Sequence, residues 1–244
     1  MTVVTRSAQL FPLKPCIRLN AVRLVSLLVS AFLLSGCAGA LWSDPVARQL
    51  NLFTQERLLL TADYARHHYG GDGYELREPR MIVLHYTAFP TLDESVRFFS
   101  SPFLDTEFRR DISAGGAVNV SAHYLVDRDG TVYQTAGENV ICRHTIGFNH
   151  LALGIENVGR GAEQLTEEQA EADAALILRI LRRHPSIRFL IGHDEYRDSR
   201  RPHYKLFRED DSTYGPTHKI DPGKTFMARV RSILAKRYGI LLED

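Results

Sequence analysis

The chain has 244 residues with 30 basic and 29 acidic side chains, and four of the basic ones but none of the acidic ones fall in residues 1–37. The remainder therefore carries a net charge near −3, which offers no electrostatic footprint for nucleic acid. Beyond Cys37 the only cysteine is Cys142, which excludes an internal disulfide pair and leaves stability to an ordinary core, one that about 207 residues can build as a single domain.

Residues 24–36, LVSLLVSAFLLSG, are uncharged and mostly apolar, and Arg6, Lys14, Arg18 and Arg23 precede them. That is the charge-then-apolar order of an export signal, and it falls short of the roughly 20 residues a transmembrane helix needs. The run ends in LSGC at 34–37, which resembles the lipobox of bacterial lipoproteins. The resemblance implies cleavage before Cys37, acylation of Cys37 and a protein held at a membrane surface by its lipid anchor. Ala38 stands where an inner-membrane retention signal would place Asp, so the expected location is the outer membrane, facing the periplasm. The alternative is a short buried helix that happens to end in Cys.

Residues 38–80 read as an approach segment: VARQLNLFTQERLLLTADYARHHYG has scattered apolar positions that could form a helix, and GDGYE breaks it. His67 and His68 look merely exposed. MIVLHY, 81–86, is a short apolar run typical of a central strand. TLDESVRFF, 91–99, places Thr91 as a cap with Glu94 three residues on, the spacing of a capping box. SAHYLVDRDGTVYQTA, 121–136, reads as strand, Asp-Gly turn, strand. LALGIENVG, 151–159, is another strand candidate. LTEEQAEADAALILRILRRHP, 165–185, is the clearest helix, capped by Thr166, with Glu167 and Glu168 in its first turn and Arg182 and Arg183 in its last. Ala170, Ala174, Leu178 and Leu181 are its expected apolar stripe. IRFLIGH, 187–193, is a buried strand candidate, and KTFMARVRSILAKRYG, 224–239, is a second helix. Strands alternating with helices imply an α/β fold, a single domain whose central mixed β-sheet is flanked by helices.

Three polar residues stand at strand ends or turns: His85 ends the run MIVL, His193 follows IRFLIG, and Asp221 precedes Pro222-Gly223. The ends of strands are where α/β proteins place their sites. Two imidazoles and one carboxylate suit zinc, leaving a fourth position open. Spacing alone does not establish such a cluster, and core histidines with one hydrogen bond are the alternative. Glu156 is a charge inside an apolar stretch, costly unless it has a task or a partner such as a buried arginine. In KID, residues 219–221, the i and i+2 side chains point the same way on extended backbone, so Lys219 and Asp221 either form a salt bridge or face a common target.

Taken in order, VLHYTA at 82–87, SAHYLVDRDGTVYQ at 121–134, GIEN at 154–157, IGHDE at 191–195 and KIDPGKTF at 219–226 resemble the type 2 class of zinc-dependent N-acetylmuramoyl-L-alanine amidases. These share a fold with peptidoglycan recognition proteins. The resemblance covers about 81–226 and implies zinc held by His85, His193 and Asp221, with Glu156 as general base and Lys219 assisting at the metal. It also implies a peptidoglycan or muropeptide substrate, cut between N-acetylmuramic acid and L-alanine. His123 and His144 match recurring histidines that would shape the groove. The resulting layout is a lipoprotein signal peptide over 1–36, the lipidated Cys37 with a linker and helical segment over 37–80, and a zinc amidase domain over 81–240. The 25 residues between His193 and Lys219 depart from the shorter family members, an insertion beside the cleft that brings His203 and His218 near enough in sequence to compete for a metal. Two alternatives stand beside this reading. One is a peptidoglycan-binding module without hydrolysis, which would typically lack the last metal ligand. The other is a zinc peptidase, for which no HExxH motif is present.

Overall fold

The computed structural model describes residues 47–244; Cys37 and the LSGC stretch lie outside the described residues. Six strands form one mixed sheet: β1 (Arg48–Gln49), β2 (Met81–Tyr86), β3 (Tyr124–Val126), β4 (Val132–Gln134), β5 (Ala152–Asn157) and β6 (Phe189–Gly192). Their spatial order is β1-β4-β3-β5-β2-β6. All neighbours run parallel except β3 and β4, the antiparallel hairpin expected around Asp129-Gly130. Among the described residues four α-helices accompany the sheet: α1 (Gln55–Tyr69), α2 (Leu92–Ser100), α3 (Glu167–Arg183) and α4 (Lys224–Tyr238). Among the described residues no helix is long and apolar enough to cross a membrane.

Strand β2 reads as a continuous apolar run because it lies between β5 and β6 and is covered on both faces. The period of two divides its residues between two cores. Ile82 and Leu84 join Leu153, Ile155 and Leu190 on one face, under Ala170, Ala174, Ile177 and Ile180 of α3 and Phe226 and Val230 of α4. Met81 and Val83 join Ala152 and Ile191 on the other, with Tyr64 and Tyr69 of α1 and with Ile112, Phe148, Tyr196 and Tyr214. Each fully buried aliphatic or aromatic side chain contributes roughly 1.5–3 kcal/mol, so β2 and its neighbour β5, both buried on two faces, anchor the sheet.

The segment before β2 is more than an approach. Helix α1 opens on Thr54, whose side chain accepts from the Arg57 amide, and closes on Gly70 at φ 60°, a left-handed position that glycine takes without strain. It buries Tyr64, Ala65 and Tyr69, and β1 pairs with β4. His68, expected to be exposed, is buried and paired with Glu209 at 2.7 Å, while His67 stays exposed. That pair fastens the segment between His193 and Lys219 to α1. The segment is well packed, with a short 3-10 turn at Pro202–Leu206 and Tyr196, His203 and Tyr214 buried.

Two local expectations are corrected. Thr91 caps α2 through the Glu94 amide, but only this half of the expected capping box forms. The complete box is at α3, where the Thr166 side chain accepts from the Gln169 amide and Gln169 Oε1 accepts from the Thr166 amide. The stripe of α3 is also rotated: Ala170 and Ala174 are buried as expected, but Ile177 and Ile180 complete it, and Leu178 and Leu181 are only half-buried. The two-helix layer explains this, since α3 packs against α4 as well as the sheet and turns its centre toward both.

Candidate metal centre

Strand parity assembles the site. His85 follows Met81 and Val83 onto the second face of β2, Glu156 follows Ala152 and Gly154 onto the same face of β5, and His193 follows Ile191 just past β6. His85 and Glu156 are paired across β2 and β5. All three therefore emerge together at the carboxyl ends of parallel strands, the edge where such sheets open into a crevice. Asp221 reaches them from the turn before α4, where its carbonyl accepts from the Asp194 amide at 2.8 Å. The turn carrying His193 is braced from behind: Glu195 Oε2 accepts from the Gly192 amide at 2.8 Å and from Arg231 of α4 at 2.7 Å.

The three donors converge. His85 Nδ1 lies 3.0 Å from His193 Nδ1 and 3.1 Å from Asp221 Oδ2, and His193 Nδ1 lies 3.1 Å from the same oxygen. Among the described residues, this is the group of histidine, cysteine or acidic side chains arranged to hold a metal ion. His203, packed against Phe148, and His218, exposed, are outside it. Burial pushes the His193 imidazole down to about 4, so near neutral pH its ring is uncharged and has a lone pair to offer. Burial alone would raise Asp221, yet its contacts with His193 and His85 hold the carboxyl well below the usual carboxylate range. Two imidazole nitrogens and one carboxylate oxygen facing a single point form a donor set that a divalent cation of the zinc type fits.

The cluster lies in a cavity of about 320 Å³ whose wall also includes Phe89, Phe98, Phe108, Asp111, Glu156 and Lys219. Glu156 is buried, and its Oε2 has no hydrogen-bond partner. Burial raises its carboxyl to about 7, with His85 pulling the other way. Among the described residues no arginine is hydrogen-bonded to Glu156, and Arg109 acts on it only through its charge. Lys219 lines the same cavity, but its ion pair is with Asp111 at 3.1 Å, not with Asp221. Arg109 holds both oxygens of the same carboxylate, Oδ1 at 2.9 Å and Oδ2, which it shares with Lys219, at 3.1 Å. With Lys219, and against burial, it brings that carboxyl down to about 2.

His144 is on the cavity wall, whereas His123, expected to shape the groove, is fully buried behind it. His123 Nδ1 accepts from the Gly154 amide at 3.0 Å and Nε2 donates to the Val140 carbonyl at 2.9 Å. Sequence reasoning missed Asp111, Arg109 and the aromatic wall. FRRDIS carries no local signal beyond an ordinary charged loop, and only the tertiary fold brings it to the cavity of His85, His193 and Asp221.

A family model described as N-acetylmuramoyl-L-alanine amidase matches residues 75–224, and the chain belongs to that family. Mouse peptidoglycan recognition protein 3 is 32% identical over 95 residues, which are 36% of this chain and 25% of that protein. The matched stretch thus spans about a quarter of that curated relative. Similar solved structures include a selenomethionine derivative of AmpD, at 20% identity and TM-score 0.48 over 77% of this chain and 94% of that one. They also include the amidase LysC from Clostridium intestinale URNW, at 22% identity and TM-score 0.41 over 65% and 89%. A third is human PGRP-IβC in complex with glycosamyl muramyl pentapeptide, at 18% identity and TM-score 0.43 over 67% and 86%.

Proposed function

We propose that the chain is a zinc-dependent hydrolase of the amide between N-acetylmuramic acid and L-alanine of the peptidoglycan stem peptide. We also propose that acylated Cys37 anchors it in the outer membrane, facing the periplasm. The observation that carries the activity is the convergence of His85, His193 and Asp221 beside an unpartnered buried carboxylate in one cavity. Zinc in a three-ligand site of this kind supplies a Lewis acid that polarises an amide carbonyl and makes water more acidic.

The remaining work falls to side chains. Glu156 Oε2 is free to accept the proton of the attacking water and to return it to the leaving nitrogen. A carboxyl raised to about 7 by burial can serve in both directions near neutral pH. Lys219, held on the cavity wall by Asp111, supplies positive charge for the oxygen that becomes negative as the carbonyl is attacked. Phe89, Phe98 and Phe108 give the opening an apolar side suited to a sugar face or the lactyl group. The anchoring half of the proposal rests on LSGC at 34–37.

The test is mass analysis of products from purified peptidoglycan, with zinc supplied. Release of intact stem peptides from muramic acid is expected. Cleavage inside the stem would make the protein a peptidase, and tight binding without any cleavage would make it a recognition module.

A further inference from the structure

One histidine of the site is not among the converging ligands, and its hydrogen bonds determine how a ligand is presented. His144 Nε2 lies 3.3 Å from the Ala152 carbonyl, and His144 Nδ1 lies 3.1 Å from His85 Nε2. A carbonyl oxygen only accepts, so His144 carries its hydrogen on Nε2. The ring is buried, and its hydrogen-bond partners are a carbonyl, a hydroxyl and another imidazole, with no carboxylate to offset a second proton. Nδ1 of the neutral ring is then a lone pair, and the atom facing it, His85 Nε2, must donate. Thr145 Oγ1 closes the same triangle at 2.9 Å from His144 Nδ1 and 3.5 Å from His85 Nε2. Whether that hydroxyl donates to the first or accepts from the second, a bare His85 Nε2 would set two lone pairs against each other. His85 therefore holds a hydrogen on Nε2, which leaves Nδ1, the atom facing His193 Nδ1 and Asp221 Oδ2, as the ring nitrogen through which an ion would be held.

We propose that His144 is a positioning residue for the metal, locking His85 in the Nε2–H tautomer so that Nδ1 is presented to the ion. The proposal rests on the zinc reading of the site and assigns His144 no part in proton transfer to substrate. The surroundings are built to hold this acceptor in place. Asn149 Oδ1 accepts from the amides of His144 and Thr145 at 2.8 and 2.7 Å, and its amide group donates to the hydroxyls of Tyr64 and Tyr69 of α1. The His144 ring lies flat against Gly154 of β5, where a Cβ would stand 2.8 Å from the imidazole Cγ. A side chain at 154 would push the ring off its hydrogen bonds, so the GIEN motif starts with glycine for the sake of close approach. Removal of a hydrogen-bond partner behind a ligating histidine typically weakens metal binding by about 10–100-fold.

The experiment compares the full chain with His144→Phe, which keeps a ring but deletes the acceptor, and with His144→Asn, whose Oδ1 can replace Nδ1. Zinc affinity is measured by competition with a chromophoric chelator, with thermal unfolding as the control for folding. The expected result is a loss of about 10–100-fold for His144→Phe, largely recovered in His144→Asn. Activity that His144→Phe loses at limiting zinc should return when zinc is saturating. Wild-type affinity in His144→Phe, or a kcat loss that saturating zinc leaves untouched, would overturn the assignment. Nitrogen-15 NMR of the histidine rings in zinc-free wild type needs no variant: it should show a hydrogen on Nε2 of His85, and a hydrogen on Nδ1 instead would sink the proposal. A wild type that bound no zinc yet showed the Nε2–H tautomer would instead count against the zinc reading alone.

Discussion

Replacing Asp173 of α3 by Asn should change how stability depends on pH. Asp173 is fully buried, Asn157 donates to its Oδ2 at 2.9 Å, and its Oδ1 has no partner. Burial lifts the carboxyl from its ordinary 3.8 to about 7, against the pull of the Asn157 hydrogen bond. Below about pH 4 the group is protonated whether the chain is folded or not and costs nothing. Between about pH 4 and 7 the unfolded chain releases this proton while the folded one keeps it, so stability falls as pH rises. Each pH unit of that window is worth about 1.4 kcal/mol, which caps the loss at roughly 4 kcal/mol, complete above about pH 7. Asn does not titrate, so the variant should gain on the wild type by up to that amount across the window and run parallel to it outside. Urea unfolding of both full chains at fixed zinc, from about pH 4 to about pH 8, measures the difference and cancels groups common to the two. The constant offset from repacking is irrelevant to the slope. A stability difference that is flat with pH would refute the reasoning and mean that Asp173 is ionised in the folded protein.

His193→Ala should bind nearly one equivalent less zinc than wild type by metal analysis, and equal zinc in both would remove His193 from the ligand set. Glu156→Gln should keep zinc and fold while kcat falls by roughly 10²–10⁴, and near-wild-type turnover at every pH would make the carboxylate structural. Lys219→Met should also keep zinc and lose roughly 10²–10³ in kcat with KM little changed, so a change confined to KM in steady-state rates would assign Lys219 to substrate binding. Cys37→Ser should leave a chain that no longer pellets with membranes, and an unmodified Cys37 on the wild-type protein by mass spectrometry would contradict the anchor.

The elements near the site were legible because their signals are local. MIVLHY had the short apolar run of a central strand, and the histidine near its end followed from the same run. Thr166 with Glu167 and Glu168 announced α3, and Pro222-Gly223 announced the turn that delivers Asp221. The rotated stripe of α3 was not legible, since a helix facing a sheet alone and one facing a sheet and α4 have the same period and differ only in phase. Nor was the burial of His68, whose partner Glu209 is 141 residues away.

The amino-acid sequence by itself determined which residue types were available for metal chemistry and which residues alternate with which along each strand, because side-chain direction reverses with every residue; that His85 and Glu156 share one face was settled by the register of β2 against β5. It also determined the ordered motifs that mark the family. Only the tertiary structure decided that residues separated by 108 and 28 positions bring three acceptor atoms within 3.1 Å, that Lys219 pairs with Asp111, and that His144 stands behind His85 as its acceptor. Those outcomes depend on the order and register of β5, β2 and β6 and on loops packed against them. Hydrogen bonds and coordination are decided over tenths of an ångström, a scale that spacing along the chain does not encode.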